Sequence, residues 1–292
     1  MSSDASTPSP PSMPFRRLLV GLDFTETGDG LVDALMALRG WGVDTLILAH
    51  VCPESPVPLL HRGDHTRNVI GKLTEANAWL EPHFHVELSI RAGDRGPLLA
   101  EEAMARGADG WVLGVQAHPS WRDALLGDTV TQVARRCRLP LLLYPDTAVE
   151  HRRERSILAP SVTRILHPLD LEEAGSPALG VVRELARSNA LPVTLLHVVE
   201  PGDAEVARSR AEDFLAHVAS ELEASGVARP AVEVASGESW QVILEKAAQA
   251  DPTLIVMGTR RRGALPRAVL GSQSLKVARH SRLPLLLVPT AA

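Results

Sequence analysis

The chain has 292 residues, of which 45% are hydrophobic and 22% charged, the balance of a globular protein with room for two domains that each bury a core. A net charge of -5 and a pI of about 6.1 exclude nucleic acid as the main partner, because phosphate recognition needs an extended basic face. Two cysteines, Cys52 and Cys137, exclude a disulfide framework or a zinc cluster, and no apolar run is long enough to span a bilayer.

Residues 1–14 are rich in Ser and Pro and lack a continuous apolar segment. They are expected to form a disordered tail rather than a signal or anchor, which places the chain in the cytoplasm. Leu18 to Leu22 is an apolar run reaching Asp23, the pattern of a strand buried on both faces of a parallel sheet. Thr25 and Thr27 are candidate N-caps for a helix carrying Leu31, Leu35 and Leu38 at helical spacing, which Gly40 and Gly42 stop. Thr45 to Val51 is a second strand. After a Pro-rich loop come a helix over Val69 to Leu80, a strand over Val86 to Arg91, and a helix from Pro97 to about Ala105. Val112-Leu113 and Leu141 to Tyr144 are the fourth and fifth strands. Strands alternating with helices imply a parallel α/β sheet with right-handed crossovers.

The plan then repeats. Ile165 to Asp170 matches the first strand and its acid, Ser176-Pro177 opens the next helix, and Val193 to Val199 ends as the second strand does. Asp23 and Asp170 are 147 residues apart, as are His50 and His197. Gly93 and Gly237, Gly114 and Gly258, Gly127 and Gly271, and Pro140 and Pro284 are 144 apart. One duplication with a three-residue shortening after the second strand accounts for all of these spacings. The expected fold is therefore α/β: two tandem copies of an open, mostly parallel five-stranded sheet flanked by helices, Rossmann-like in plan. Domain 1 is expected over 15–146 and domain 2 over 157–292, joined by a polar linker at 147–156.

In such a sheet, ligands sit beyond the carboxyl ends of the strands, where the strand order reverses. Asp23 and Asp170 are placed to accept hydrogen bonds from an adenine amino group or a ribose hydroxyl there, or simply to cap the following turn. Gly258 offers unobstructed approach, and Gly271-Ser272 opens a helix whose N–H groups face an anion, with Ser272 as the expected cap. In the first copy Gly114 and Gly127 remain, but Asp128 replaces the serine. A fixed negative charge there repels phosphate unless a metal intervenes. His50 and His197 lie inside apolar strands and are expected to be hydrogen-bonded structural residues. His61, His65, His83, His85 and His118 show no metal-ligand spacing. No P-loop, no nucleophile elbow and no paired catalytic constellation is present, so no catalytic residue and no metal site is assigned.

These residues give the chain a resemblance, from Arg17 to Pro289 and twice over, to the universal stress protein family. Its nucleotide-binding members carry G-x-x-G-x9-G-[ST], an Asp ending the first strand, and a Val after the second-strand His. The resemblance places Pro168, Asp170, Val198, Gly258, Gly271 and Ser272 in the second copy on the family pattern, with Arg261 at the second motif glycine. In the first copy it places Asp23, Val51, Gly114 and Gly127, with Ala117 and Asp128 at the two altered positions. Arg261 either fills the phosphate pocket or grips the phosphate through its guanidinium.

The resemblance implies a stress-response binding or regulatory module, with weak adenine-nucleotide binding in the second domain (ATP or another adenylate, with Mg when bound) and a degenerate site in the first. Two alternatives stand beside it: a slow ATP hydrolase or nucleotide-transfer enzyme, and a ligand-free partner-binding protein. The apolar last strands, Leu141 to Tyr144 and Leu285 to Val288, need cover at the sheet edge. They are expected to pair with each other inside one chain, as such strands pair across the family's dimer axis. A homodimer and an unidentified protein partner are left open.

Overall fold

The structure, a computed structural model, describes residues 15–24, 26–52, 59–115, 127–136, 138–145, 162–171, 175–199, 205–249, 254–259 and 271–289. The expected tail, the 147–156 linker, Thr25, Ala117 and Arg261 lie outside the described residues.

Domain 1 runs β1 (Arg17–Gly21), α1 (Glu26–Leu35), a 3-10 turn (Met36–Trp41), β2 (Thr45–Cys52), α2 (Leu59–Leu80), β3 (His85–Ala92), α3 (Arg95–Ala105), β4 (Gly110–Val115), α4 (Asp128–Arg136) and β5 (Leu141–Pro145). Domain 2 repeats it as β6 (Ile165–Pro168), α5 (Pro177–Asn189), β7 (Val193–Val199), α6 (Glu205–Ala224), β8 (Ala231–Ser236), α7 (Ser239–Gln249), β9 (Leu254–Gly258), α8 (Ser272–His280) and β10 (Leu285–Val288). The ten strands form one sheet in the order β3-β2-β1-β4-β5-β10-β9-β6-β7-β8. All neighbours whose register is given are parallel except β5 and β10, which pair antiparallel.

The seam follows the expectation of pairing inside one chain: Leu143 faces Leu285, Leu142 faces Leu286, and Leu141 faces Leu287. Alternation sends Leu142 and Leu286 into the core on one face of the sheet and the other four into the core on the opposite face. Both cores contain residues from both domains. Each domain therefore covers the sheet edge that the other would leave open.

Several local expectations need correction. α2 starts at Leu59, ten residues before the apolar pattern signals it, because residues 61–68 include no large apolar residue from which a helical period can be read. α3 begins at Arg95 behind the N-cap Asp94, so Pro97 is the third helical residue, still in the first turn. α1 begins at Glu26, which puts Thr27 inside the helix rather than at its cap. Its α-helical geometry tightens into the 3-10 turn, and Gly42, at φ 79°, closes it in the left-handed region. Ser176 caps α5 as expected, its Oγ accepting from the Leu179 N–H at 3.2 Å with Pro177 at the first turn.

Candidate functional site

The strand order reverses between β1 and β4, and again between β6 and β9. The carboxyl ends of these strands therefore define one crevice per domain. In domain 2, Pro168 closes β6, buried, and Gly258 closes β9, half-buried. Asp170 is not the last strand residue, as the pattern suggested, but stands two residues further on and half-buried; Asp23 likewise stands two residues past β1, exposed. The chain stays extended past each strand end because Leu22 N–H donates to Ala49 O (2.9 Å) and Leu169 N–H to Leu196 O (3.0 Å).

The strand histidines hold these exits in place. His50 Nδ1 lies 2.7 Å from Leu22 O, and His197 Nδ1 lies 2.9 Å from Leu169 O. A carbonyl can only accept, so Nδ1 carries the proton in both. Each buried imidazole thereby fixes the residue that precedes the aspartate by one position. The structural role expected for His50 and His197 is the one the geometry gives. Next to them Val51 is buried and Val198 half-buried at the ends of β2 and β7. Domain 1 adds a constraint without counterpart among the described residues of domain 2. Phe24 takes φ 54°, with its ring 5.2 Å from that of His50.

The helix termini separate the copies. Gly271, not Ser272, is the N-cap of α8; its φ of -67° and ψ of 158° make it an extended residue, and a glycine N-cap supplies no side-chain cap bond. Ser272 is the first helical residue and exposed, so its hydroxyl is past the position from which a cap reaches back. The expectation that Ser272 caps the helix is thus corrected: helical dihedrals begin at its own backbone. Leu275 N–H donates to Gly271 O at 3.0 Å, the first helical bond. Thr131 and Gly127 make the same bond in α4, at 3.0 Å. There, however, Asp128 occupies the first turn, whereas α8 has no acid in its first turn. Gly127 is exposed, and a Cβ there would meet no atom within 4 Å. Gly114 would bring a Cβ no nearer than 3.6 Å, to Leu31. Packing against the described residues does not demand glycine at either position.

Two polar features were not singled out by sequence reasoning. His167, in β6, is fully buried, with Nδ1 2.8 Å from Val256 O and Nε2 without a partner. Burial pushes its pKa down to about 4, against a smaller upward pull from the bond to Val256. The signal was available in the repeat, since Val20 holds the corresponding position in domain 1. The second feature is a charged network between β3 and α3. Glu102 accepts from Ser89 Oγ (2.8 Å), Arg91 Nη1 (2.5 Å) and Arg106 Nε (2.8 Å), while Glu87 accepts from Arg106 Nη1 (3.1 Å) and from Arg17. Burial alone would raise the Glu102 pKa, but the bonds from Ser89, Arg106 and Arg91 outweigh it and hold the carboxyl below its usual range. In domain 2 the equivalent positions carry Lys246 and Glu233, paired at 2.8 Å with the polarity reversed. Glu102→Gln is expected to destabilise the fold by about 2 kcal/mol in urea titrations, below the figure for a fully buried pair because both arginines reach solvent. Among the described residues no group of three or more His, Cys, Asp or Glu is placed to hold a metal ion, and no helix is long and apolar enough to cross a membrane.

This architecture has known counterparts. A universal stress protein from Archaeoglobus fulgidus superposes with a TM-score of 0.74 at 19% identity, over 96% of this chain and all of that one. A protein of unknown function from Pseudomonas aeruginosa PAO1 superposes with a TM-score of 0.65 at 15% identity, over 95% and 94%. In sequence, the universal stress protein encoded in the QAH/OAS sulfhydrylase 3'region of Thermus aquaticus is 31% identical over 132 residues, which is 42% of this chain and 96% of that relative. The pattern of the universal stress protein family itself matches residues 14–145 and again 161–289. Two matches that together span most of the sequence show that the chain belongs to the universal stress protein family and carries two of its domains in tandem.

Proposed function

We propose that this protein acts in stress adaptation in the cytoplasm as a binding or regulatory module, and that its second domain takes an adenine nucleotide weakly while its first does not. The observation that carries this reading is the contrast between α8 and α4. The first turn of α8 has no acid of its own, and Gly271 leaves its N–H groups without a side-chain cap from the N-cap residue. Those donors and the helix dipole favour an anion. The Glu238 carboxylate is neutralised by Lys276 (2.8 Å) and also bonded by Gln273. α4 opens on the same first helical bond, Thr131 N–H to Gly127 O, but has Asp128 in its first turn, a carboxylate that already complements the dipole and repels a phosphate.

The residues of domain 2 fit a nucleotide of this kind. Gly271, Ser272 and Gly258 would hold the phosphates, Asp170 would accept from the ribose or the adenine amino group, and Pro168 and Val198 would supply apolar wall. Mg would offset the charge of a triphosphate. Arg261, which either blocks or grips the phosphates, lies outside the described residues.

Isothermal titration of the full chain with ATP, ADP and AMP tests the reading. Saturable binding is expected with one site per chain, weakened at least tenfold (about 1.4 kcal/mol) by Ser272→Asp, since two like charges a few ångströms apart near a surface repel by about this much or more. Absence of saturable binding would leave the ligand-free partner-binding reading. Phosphate release that is lost with Ser272→Asp would instead support the hydrolase.

A further inference from the structure

We propose that the outer edge of β3 is a self-complementary surface through which two copies of this chain pair, independently of any nucleotide. Among the described residues β3 ends the sheet, its eight residues in register with β2 on one side and with no described strand on the other. His85 N–H donates to Asp44 O (2.8 Å) and Gly93 N–H to Cys52 O (2.9 Å). The unbroken ladder between these bonds turns the odd-numbered residues toward β2. The N–H and C=O groups of Val86, Leu88, Ile90 and Ala92 therefore point out of the sheet.

On the α2 face of the same strand, Leu88 and Ile90 are 41% and 40% exposed, apolar side chains at an open edge that proteins ordinarily blunt. The opposite face carries Glu87, bonded to Arg106 and Arg17, and Arg91, bonded to Glu102, whose side chains remain 24% and 45% exposed at the edge. Opposed to an arbitrary strand, these charges discourage pairing. Opposed to an antiparallel copy of β3, with the two-fold axis at Ser89, they match. Glu87 then lies across from Arg91 twice, Leu88 across from Ile90 twice, and Val86 across from Ala92 twice. This register also sets outward-pointing residues against outward-pointing residues, as the hydrogen-bond ladder requires. An isologous contact of this kind closes as a dimer and leaves no further β3 edge exposed.

The other end of the sheet lacks the property. Gly237 N–H donates to Val199 O (3.2 Å), so the even-numbered residues of β8 point outward. The register that pairs Val232 with Val234 also sets Glu233 against Glu233.

Sedimentation velocity on the full chain from low to high micromolar concentration is expected to show a monomer–dimer equilibrium. Ile90→Lys, at an exposed position, should keep the wild-type unfolding midpoint and raise the dimer dissociation constant roughly tenfold or more, because the change enters two cross-strand pairs. Leu88→Cys combined with Ile90→Cys sets exposed thiols across from each other twice, at pairs whose Cα atoms lie about 5.5 Å apart, within disulfide range. A reducible covalent dimer is expected on mild oxidation. A wild-type chain that stays monomeric throughout, a dimer indifferent to Ile90→Lys, or a dimer in which the Leu88→Cys, Ile90→Cys double variant does not cross-link would each overturn the assignment.

Discussion

Urea unfolding of the full chain is expected to lose about 3 kcal/mol of stability between pH 6.5 and pH 4 through His167 alone, and His167→Val should abolish that part of the slope. In the folded protein the imidazole is fully buried, with its pKa lowered to about 4 from an ordinary value of 6.5. Its Nδ1–H donates to Val256 O, so protonation would place a second N–H and a full charge at Nε2, which has no partner. Between pH 4 and 6.5 the unfolded chain binds this proton and the folded chain does not. Stability from this group is therefore complete above about 6.5, falls as the pH drops toward 4, and changes no further below.

The lowered carboxyl pKa values of Glu87 and Glu102 act in a lower window. Their contribution is present above the ordinary value of 4.5 and is lost as the pH falls through their folded values. The two acid phases are thus separable, and His167→Val removes only the upper one. Valine is the natural choice because Val20 holds the equivalent position in domain 1. At neutral pH the exchange should change stability by less than about 1.5 kcal/mol, since it removes a hydrogen bond together with an unsatisfied buried nitrogen. An unchanged slope between pH 6.5 and 4 in the variant would refute this account.

Leu286→Ala is expected to destabilise the whole chain by about 3 kcal/mol, in the middle of the range for emptying a leucine-sized space in a packed core. Leu286 is 1% exposed and faces Leu142, itself 4% exposed, across the antiparallel seam. Leu142→Ala should cost a similar amount. Because both side chains occupy one core, the double variant should lose less than the two singles together, with a coupling of about 1 kcal/mol. The melt should stay single and cooperative, since both cores cross from one domain to the other. Strict additivity, or a melt that splits into two domain transitions, would show that the seam is a contact between independent units rather than the centre of one sheet.

The elements most legible from residue order were those whose signal is local and repeated. Apolar runs such as Leu46 to Ala49 and Leu254 to Met257 read as strands because parallel strands are buried on both faces. The recurrence of Asp23, His50, Gly114 and Gly127 gave the duplication, while the seam between the last strands came from their apolar edges together with the family resemblance. The capping residue of α8 was less legible. Gly271 and Ser272 are both good caps by type, and only the backbone angles decide that the glycine stands outside the helix and the serine within it. The aspartates were misread by two positions for a similar reason. Leu22 and Leu169 continue the apolar pattern, but the paired ladder ends at Gly21 and Pro168.

From the sequence alone came the two-domain α/β plan, the candidate crevice residues that the family resemblance implies for each copy, and the Ser272-to-Asp128 contrast on which the nucleotide proposal rests. These are carried by residue type and by spacing, which need no knowledge of what packs where. The tertiary structure decided that His167 is buried without a partner for Nε2, that Glu102 sits among Ser89, Arg91 and Arg106, and that β3 shows Leu88 and Ile90 to solvent while its bonding groups point outward. Each of these depends on contacts with other elements, up to 89 residues away for His167 and Val256. Desolvation and strand pairing are set by those neighbours, and a local pattern does not encode them.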